Sequence, residues 1–196
     1  MSRVNKQLKL FNPPKKRGPK PKFKNGAFGG SIHSNYNPNK QRPIDHKKAL
    51  HIVLRSSQAR GLRSFKHKNN ETKVWDIIRK QAKNFNIKLY AYANSGNHLH
   101  LLLRAKERKE YSFFIRAISG LIARHVGSSE RGQKLKKPFW DARPFSRIVS
   151  FAKREFATVK SYLLRNTLEA VGWIKYIPRD KKLDPNIRAM LYANYG

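Results

Sequence analysis

A formal net charge of +33 is the feature that most restricts what this chain can fold into. Lys and Arg total 44 of its 196 residues, against 11 Asp and Glu, when His is counted as neutral. Repulsion among so many like charges destabilises a compact state unless a polyanion offsets it. Nucleic acid is the commonest such partner, because basic side chains that meet phosphates release condensed counterions. The charge predicts nucleic-acid binding, but an RNA-coating protein has the same balance, so the chemistry stays open.

Other global features exclude several classes of protein. The sequence has no cysteine, which excludes disulfides, thiolate nucleophiles and cysteine-bound zinc, and suits a reducing cytoplasm. No apolar run reaches the ~20 residues that a membrane helix needs. No apolar segment follows the basic N-terminus, as it would in a secretory signal. We therefore expect a cytoplasmic protein that makes no membrane contact.

Hydrophobic patterning divides the chain into three parts. Residues 1–47 are rich in Lys, Arg, Pro, Gly and Asn and lack periodicity, which predicts an extended or disordered basic arm. The arm contains basic residues that we expect to contact DNA phosphates: Lys15, Lys16, Arg17, Lys20 and Lys22. Residues 48–172 have the patterning of one folded domain, and residues 173–196 form a C-terminal extension.

The folded part has a clear order of predicted elements. Short β-branched or alternating runs predict strands over 49–55, 87–93, 98–104 and 145–149, with turn residues at 95–97. Apolar residues at three- and four-residue spacing predict helices over 71–84, 111–125 and 151–168, and a short helix near 187–192. This order indicates an α+β fold, an antiparallel sheet of ferredoxin-like kind with helices packed on one face.

Two histidines on one predicted strand carry the first chemical signal. Alternate side chains of a strand share a face, so His98 and His100 project together, about 6.5 to 7 Å apart. Two imidazoles at that spacing can converge on one divalent cation. Isolated pairs of this kind more often have an ordinary structural role. The metal-site hypothesis therefore depends on which other residues the chain brings to the pair.

Polar residues on the long late helix are the second signal. Tyr162 and Asn166 are four residues apart, which places both on one face of the helix. An apolar stripe runs beside them and includes Val159 and Leu163. If that stripe packs on the sheet, Tyr162 lies at the margin of the contact and faces the histidines. The alternatives are an amphipathic boundary residue for Tyr162 and a polar helix-end residue for Asn166.

These motifs together resemble those of the single-tyrosine HUH transposases. The resemblance rests on His98-Leu99-His100, on a later helix with Tyr162 and Asn166, and on the linking segment 139–147. Within that class the chain is most similar to the REP-associated tyrosine transposases, which are linked to repetitive extragenic palindromes. The likeness covers about residues 48–172.

The resemblance implies the HUH endonuclease fold and a metal-dependent activity. The chain would cut and transfer single-stranded DNA at hairpin or palindromic sites, as a monomer or homodimer. His98, His100 and Asn166 would hold Mg²⁺ or Mn²⁺, and Tyr162 would be the nucleophile that forms a 5′-phosphotyrosine intermediate. The family often has proline after that asparagine, whereas this chain has Thr167.

Basic and aromatic side chains of the domain are expected to hold the DNA. The basic set comprises Arg104, Arg116, Arg124, Arg143, Arg147, Lys153, Arg154 and Arg165. Exposed aromatic residues among them, Tyr90 or Tyr92 and Trp140, are expected to stack unpaired bases. Glu155 lies on the same helix stripe as the tyrosine and is a candidate for orienting it or a water molecule.

Three other functions remain open at this point. A non-catalytic nucleic-acid-binding module would keep the fold and charge without forming a covalent adduct. Relaxases and replication initiators of the HUH class commonly use more histidines or another order. Here the histidines precede the tyrosine by about sixty residues. A metal-dependent phosphoesterase would use water, and would still cleave after the substitution Tyr162→Phe.

Overall fold

The computed structural model describes residues 27–30, 41–128, 137–178 and 183–193. In chain order the elements are β1 (Ala49–Arg55), α1 (Glu71–Asn84), β2 (Lys88–Asn94), β3 (His98–Arg104), α2 (Arg108–Gly127), β4 (Phe145–Val149), α3 (Lys153–Ala170) and α4 (Pro185–Ala193). One turn of 3-10 helix at Gly61–Arg63 lies between β1 and α1. The predicted DNA contacts of the arm lie outside the described residues: Lys15, Lys16, Arg17, Lys20 and Lys22.

Every predicted helix and strand is present, and the largest differences are at helix ends. Helix α2 begins at Arg108, because the side chains of Glu107 and Glu110 form a capping box. Helix α3 begins at Lys153, two residues after the predicted start. Polar side chains explain this start, since a carboxylate oxygen of Glu155 accepts a hydrogen bond from the backbone N–H of Ser150 at 3.0 Å.

The four strands form one antiparallel sheet in the order β2-β3-β1-β4. Strand β1 is central, and its register with β3 places Val53 opposite His100 and His51 opposite Leu102. Strands β2 and β3 form a hairpin whose turn contains Gly96 at a φ of +85°, a conformation that glycine adopts without strain. A β-bulge in β2 between Leu89 and Ala91 shifts the register with β3.

One face of the sheet forms the main core with α1 and α2. Alternate residues of β1 and β3 on this face are at most 1% exposed: Leu50, Ile52, Leu54, Leu99, Leu101 and Leu103. They form one cluster with apolar residues of the two helices, including Val74, Ile78, Phe114, Ile118 and Ile122. This arrangement confirms the predicted α+β fold, in which an antiparallel sheet is covered by helices.

The opposite face carries the histidines, and α3 lies across it. Val159 and Leu163 of α3 pack with Ala49, Leu102 and Val149 of the sheet in a second, smaller cluster. The helix therefore uses the predicted apolar stripe for this contact. The position of α3 on this face, away from α1 and α2, brings its polar stripe toward the histidines.

Helix α4 supports α3 from the side of the C-terminal extension. Leu191 of α4 is 2% exposed, and its carbonyl accepts a hydrogen bond from the hydroxyl of Ser161 at 3.0 Å. Helix α3 is thus fixed by packing to the sheet and by hydrogen bonding to α4. Within the described ranges, no helix combines the length and apolar character needed to cross a membrane.

A described segment of the arm extends the sheet at the β4 edge. Phe28 and Ser146 exchange two backbone hydrogen bonds, at 2.8 and 2.7 Å. Arg42 fastens the segment by donating to the carbonyl of Pro144 at 2.7 Å, with its guanidinium over the ring of Phe28. Gly29 has a φ of +79°, and a Cβ there would lie 2.3 Å from the Pro144 carbonyl oxygen. This part of the arm is packed against the domain.

The substitution Leu101→Ala tests the main core. Leu101 is fully buried, so its truncation leaves a cavity and should lower the free energy of unfolding by about 2–5 kcal/mol. Urea denaturation measures the loss. The control Leu62→Ala changes a side chain that is 79% exposed and should shift stability by less than about 0.5 kcal/mol. Equal effects of both substitutions would contradict the assignment of this core.

Candidate active site

The two predicted histidines lie together at the start of β3, after the hairpin turn. Their ring centroids are 4.8 Å apart. His98 is half-buried, whereas His100 is only 3% exposed. Nδ1 of His98 lies 2.6 Å from the side-chain oxygen of Asn97. Because an amide oxygen can only accept, this hydrogen bond assigns a proton to Nδ1 of His98.

A third histidine, His51 of β1, completes the group. Its ring stacks on His100 at a centroid distance of 5.4 Å and an interplanar angle of 14°. Nε2 of His51 lies 3.2 Å from Nδ1 of His100, so the two nitrogens share one proton in a hydrogen bond. Sequence reasoning missed this residue. The alternation of β1 places His51 on the same face as Val53, but only the register with β3 brings it to His100.

The environment of His51 keeps its ring neutral. Burial lowers its pKa to about 4, because the charged form loses hydration, and the positive charge of Arg147 acts in the same direction. A neutral imidazole has one donor and one acceptor nitrogen. His51 can therefore accept a hydrogen bond from His100 through Nε2 while it carries its own proton on Nδ1.

Tyr162 of α3 packs edge-on against both buried histidines. Its ring centroid lies 5.5 Å from that of His100 and 5.9 Å from that of His51, at interplanar angles of 84° and 74°. The side chain is half-buried. The predicted tyrosine and histidines thus meet within one chain, through the packing of α3 on the sheet.

His98, His100 and Tyr162 line a cleft of about 570 Å³. Its polar lining consists of Arg55, His98, His100, Asp141, Arg143 and Tyr162. The Asp141 carboxylate is held at the rim, where it accepts from the backbone N–H of Ser57 at 2.7 Å and lies 3.6 Å from Nε of Arg55. A second cavity of about 390 Å³ adjoins Tyr162 and is lined by His51 and Arg147. The tyrosine therefore stands between two cavities with basic walls.

Asn166, the predicted third ligand, is placed differently. It lies one helical turn after Tyr162, is 6% exposed, and donates from its side-chain amide to the Tyr162 carbonyl at 2.8 Å. It does not line the cleft that contains the histidines. In the part of the chain that the structure describes, no three His, Cys, Asp or Glu side chains form a metal-binding group. A cation held by the histidines would need further ligands of another kind.

The predicted DNA-binding arginines differ in their surroundings. Arg143 lines the cleft, Arg147 lines the second cavity, and Arg104 lies on the histidine face at the end of β3. Lys153 and Arg154 are exposed at the start of α3. These five side chains are placed where a polyanion on this face would meet them.

Arg165 has a different role from the one expected. Its guanidinium is buried, forms an ion pair with Glu169 at 2.7 Å, and donates to the carbonyl of Ile177 at 2.5 Å. The expectation that Arg165 binds DNA is corrected: the residue joins α3 to the segment that follows it. Helical spacing alone does not reveal this, because the Ile177 carbonyl is brought close by the chain beyond the helix.

Two aromatic residues expected to stack bases are part of the core instead. Tyr92 stacks on Trp75 at a centroid distance of 4.8 Å, and burial raises the pKa of its hydroxyl. Trp140 donates from its indole N–H to the carbonyl of Ser119 at 3.0 Å and packs on Phe65. Of the residues proposed for stacking, Tyr90 alone lies on the histidine face, where it packs beside α3.

Glu155 does not contact the tyrosine in the way that the helical stripe suggested. Its carboxylate accepts from the backbone N–H of Ser150, at the connection between β4 and α3. Seven residues separate it from Tyr162, which is two turns of helix. Glu155 thus satisfies a backbone donor before the helix starts.

Comparison with known proteins places this site in a family. The family model described as "Transposase IS200 like" matches residues 46–166, a span that contains both predicted histidines and the tyrosine. Among solved structures, the chain is similar to a protein of Deinococcus radiodurans R1 that has been proposed to be a transposase. The TM-score is 0.41 and the identity 22%, over 66% of this chain and 98% of that chain. No curated protein sequence matches the chain.

The substitution Arg165→Ala tests the corrected role of this residue. It removes the buried ion pair with Glu169 and the hydrogen bond to the Ile177 carbonyl, and should lower the free energy of unfolding by about 3–5 kcal/mol in urea denaturation. The exposed residue of the same helix provides a control, since Arg154→Ala should change stability by less than about 0.5 kcal/mol. A stable Arg165→Ala protein with weakened DNA binding would restore the original expectation.

Proposed function

Because the chain belongs to the IS200-like transposase family, whose model spans well over half of the sequence, we propose that it cuts and rejoins single-stranded DNA through a covalent bond to Tyr162. A transposase-type function and DNA as the partner follow from membership of the family. The proposal adds the chemical route, the strandedness of the substrate and the residues that act.

One observation carries the proposal. Tyr162 packs edge-on against His100 and lines the same cleft as His98, although the tyrosine and the histidines come from different elements. A phenol at the wall of an accessible cleft can reach a bound phosphate. The cleft has a volume in the range of small-ligand pockets, about 300–1,000 Å³. A cleft of this size can hold a nucleotide next to the phenol.

Tyr162 is the nucleophile in the proposed reaction. Its phenol gives a proton to water in the cleft, and its oxygen attacks the scissile phosphorus in line with the bond to the 3′ oxygen. The phosphorus–3′-oxygen bond breaks, and the leaving oxygen takes a proton from water to become a free 3′-hydroxyl. The tyrosine oxygen is then joined to the 5′ phosphate of the DNA by a phosphodiester, which conserves the free energy of the DNA bond that was broken. A 3′-hydroxyl from the same or another strand can reverse the step without an external energy source.

His98 and His100 have the chemistry of a divalent-cation site. The hydrogen bond to the Asn97 side-chain oxygen places the ring proton of His98 on Nδ1. We assign the proton that His51 and His100 share to Nδ1 of His100. Nε2 is then the nitrogen through which each ring would bind a cation, as in histidine ligands whose other nitrogen is held by a second group. Asn166, the predicted third ligand, lies outside the cleft, so its oxygen would join this set only after a change in its position. When bound, Mg²⁺ or Mn²⁺ would withdraw charge from the phosphate during attack.

Basic residues around the cleft would hold the strand. Arg55 and Arg143 line the cleft, and both residues are exposed. Within the family we place the chain with the REP-associated tyrosine transposases, on the pattern of His98-Leu99-His100 and Tyr162. That placement predicts hairpin or palindromic DNA as the substrate. Since the tyrosine and the histidines come from one chain, either a monomer or a homodimer is compatible with the site.

The substitution Tyr162→Phe tests this function. It removes the attacking oxygen, so a covalent protein–DNA adduct should disappear, while affinity for the same DNA changes by less than about twofold. The substrate is a fluorescent hairpin oligonucleotide with single-stranded flanks, and the buffer contains Mn²⁺ or Mg²⁺. Denaturing gels report the adduct, and anisotropy reports binding.

Three outcomes of this assay contradict the proposal in different ways. An adduct that persists with Tyr162→Phe identifies another nucleophile. Cleavage that persists without an adduct supports a water-using phosphoesterase. A wild-type protein that binds but never forms an adduct is a non-catalytic binding module, a function that the position of Asn166 outside the cleft would favour.

The hydrogen bond between His51 and His100 generates a second prediction. The substitution His51→Leu removes the acceptor for Nδ1 of His100 and should weaken Mn²⁺ binding by about 10- to 100-fold. His51→Gln, whose amide oxygen can accept the same hydrogen bond, should retain most of the affinity. Calorimetric Mn²⁺ titration measures both, and the ¹⁵N shifts of the His100 ring report its tautomer without metal. Unchanged affinity and tautomer in His51→Leu would refute this role.

A further inference from the structure

Three aromatic rings form a cluster on the histidine face, beyond the cleft. The aromatic cluster consists of Tyr90 from β2, Phe151 from the connection before α3, and Phe156 from α3. Their ring centroids are 5.2 to 5.5 Å apart in all three pairs. The bulge in β2 contributes to the cluster, because it leaves both Tyr90 and Ala91 packed on the same face of the sheet.

The aromatic cluster is at the surface. Phe151 is 38% exposed, and the other two rings are partly buried, whereas Phe65 and Phe114 of the main core are fully buried. The rings pack on one another and on the edge of the smaller apolar cluster under α3. Exposed aromatic surface that is gathered in one place indicates a binding surface more often than a scattered single residue does.

A basic side chain lies over one face of each ring of the cluster. Nζ of Lys88 is 5.4 Å from the centroid of Tyr90, and Cζ of Arg104 is 5.9 Å from that of Phe151. Nζ of Lys160 is 5.8 Å from the centroid of Phe156. Aromatic faces combined with cations suit a ligand that alternates flat bases with phosphates. Glu155, the acidic residue in the first turn of α3, binds the Ser150 backbone and leaves this cationic character in place.

The position of the cluster relates it to the cleft. Arg104 follows His100 by four residues on the same face of β3, which corresponds to about 13 Å along a strand. Phe156 precedes Tyr162 by six residues on α3, about 9 Å along the helix axis. A nucleic-acid strand with one phosphate at Tyr162 therefore reaches the cluster within a few nucleotides.

We propose that the aromatic cluster stacks unpaired bases of single-stranded DNA next to the bond that Tyr162 cuts. The surrounding cations, Lys88, Arg104 and Lys160, bind the phosphates of the same nucleotides. This inference rests on the proposed function and adds a subsite to it. Because every base has a flat face, stacking here tolerates many sequences and selects for unpaired DNA over duplex.

Replacement of Phe151 by leucine tests the subsite. Phe151→Leu keeps an apolar side chain but removes the aromatic face, and should weaken binding of a 12-nucleotide oligothymidylate by roughly tenfold. Binding of a duplex of the same length should change by less than about twofold. The matched control is Phe113→Leu on α2, a 49% exposed phenylalanine on the other side of the sheet, which should leave both affinities unchanged. Fluorescence anisotropy at fixed salt measures all of them, in full-length protein carrying Tyr162→Phe.

An oligonucleotide of abasic sites isolates stacking from charge. Without bases it should bind wild-type protein and the Phe151→Leu variant equally, because only the phosphate contacts remain. Equal weakening for abasic, single-stranded and duplex DNA would overturn the proposal and indicate a general electrostatic or folding effect. Tighter binding of an RNA oligonucleotide than of DNA would overturn the assignment of the partner.

Photo-crosslinking tests the same surface without any variant. An oligothymidylate that carries 5-iododeoxyuridine should crosslink to the tryptic peptide of residues 148–153, which contains Phe151. Crosslinks confined to other peptides would contradict the proposal.

The subsite and the cleavage chemistry can be disproved separately. A covalent adduct with normal binding by Phe151→Leu removes the subsite alone, whereas weakened binding by Phe151→Leu without any adduct in the wild type removes the cleavage chemistry alone.

Discussion

The site depends on the packing of α3 across the histidine face of the sheet. Val159 and Leu163 contact Ala49, Leu102 and Val149. These contacts fix the distance of the helix from the sheet and its rotation about its own axis. Two of the buried sheet residues in this cluster, Ala49 and Ala93, have small side chains. The polar stripe of the helix is then turned toward the cleft, so the tyrosine meets the imidazoles through ordinary apolar packing.

The face that carries the chemistry also contains buried polar groups, and their partners maintain its geometry. The ring of His51 is held neutral by burial and hydrogen-bonds to His100, which fixes the orientation of the more deeply buried imidazole. Arg165 and Glu169 pair under the C-terminal segment and hold the end of α3. Arg42 fastens the arm at the β4 edge. Breaking any of these contacts removes a polar interaction at a position where water has little access to replace it.

Local patterns predicted the parts of the site that depend on a single element. Alternation along β3 was enough to place His98 and His100 on one face, and helical spacing placed Tyr162 beside the apolar stripe. His51 could not be found in this way, because its contact with His100 depends on the pairing of strands nearly fifty residues apart. The burial of Arg165 depends likewise on the chain beyond α3, which local periodicity does not describe. Local patterns therefore did not identify residues whose roles depend on contacts with distant parts of the chain.

The central claim is that the phenol of Tyr162 forms the bond to DNA at the histidine cleft. Mass spectrometry of protein that has reacted with a hairpin substrate and been treated with nuclease tests it most directly. Trypsin cleaves after Lys160 and Arg165, so residue 162 is released in the short peptide Ser161–Arg165, which has one tyrosine. The account predicts a nucleotide remnant on that peptide, attached through the tyrosine oxygen. A remnant on any other residue, or cleaved DNA without a protein-bound remnant, would contradict it.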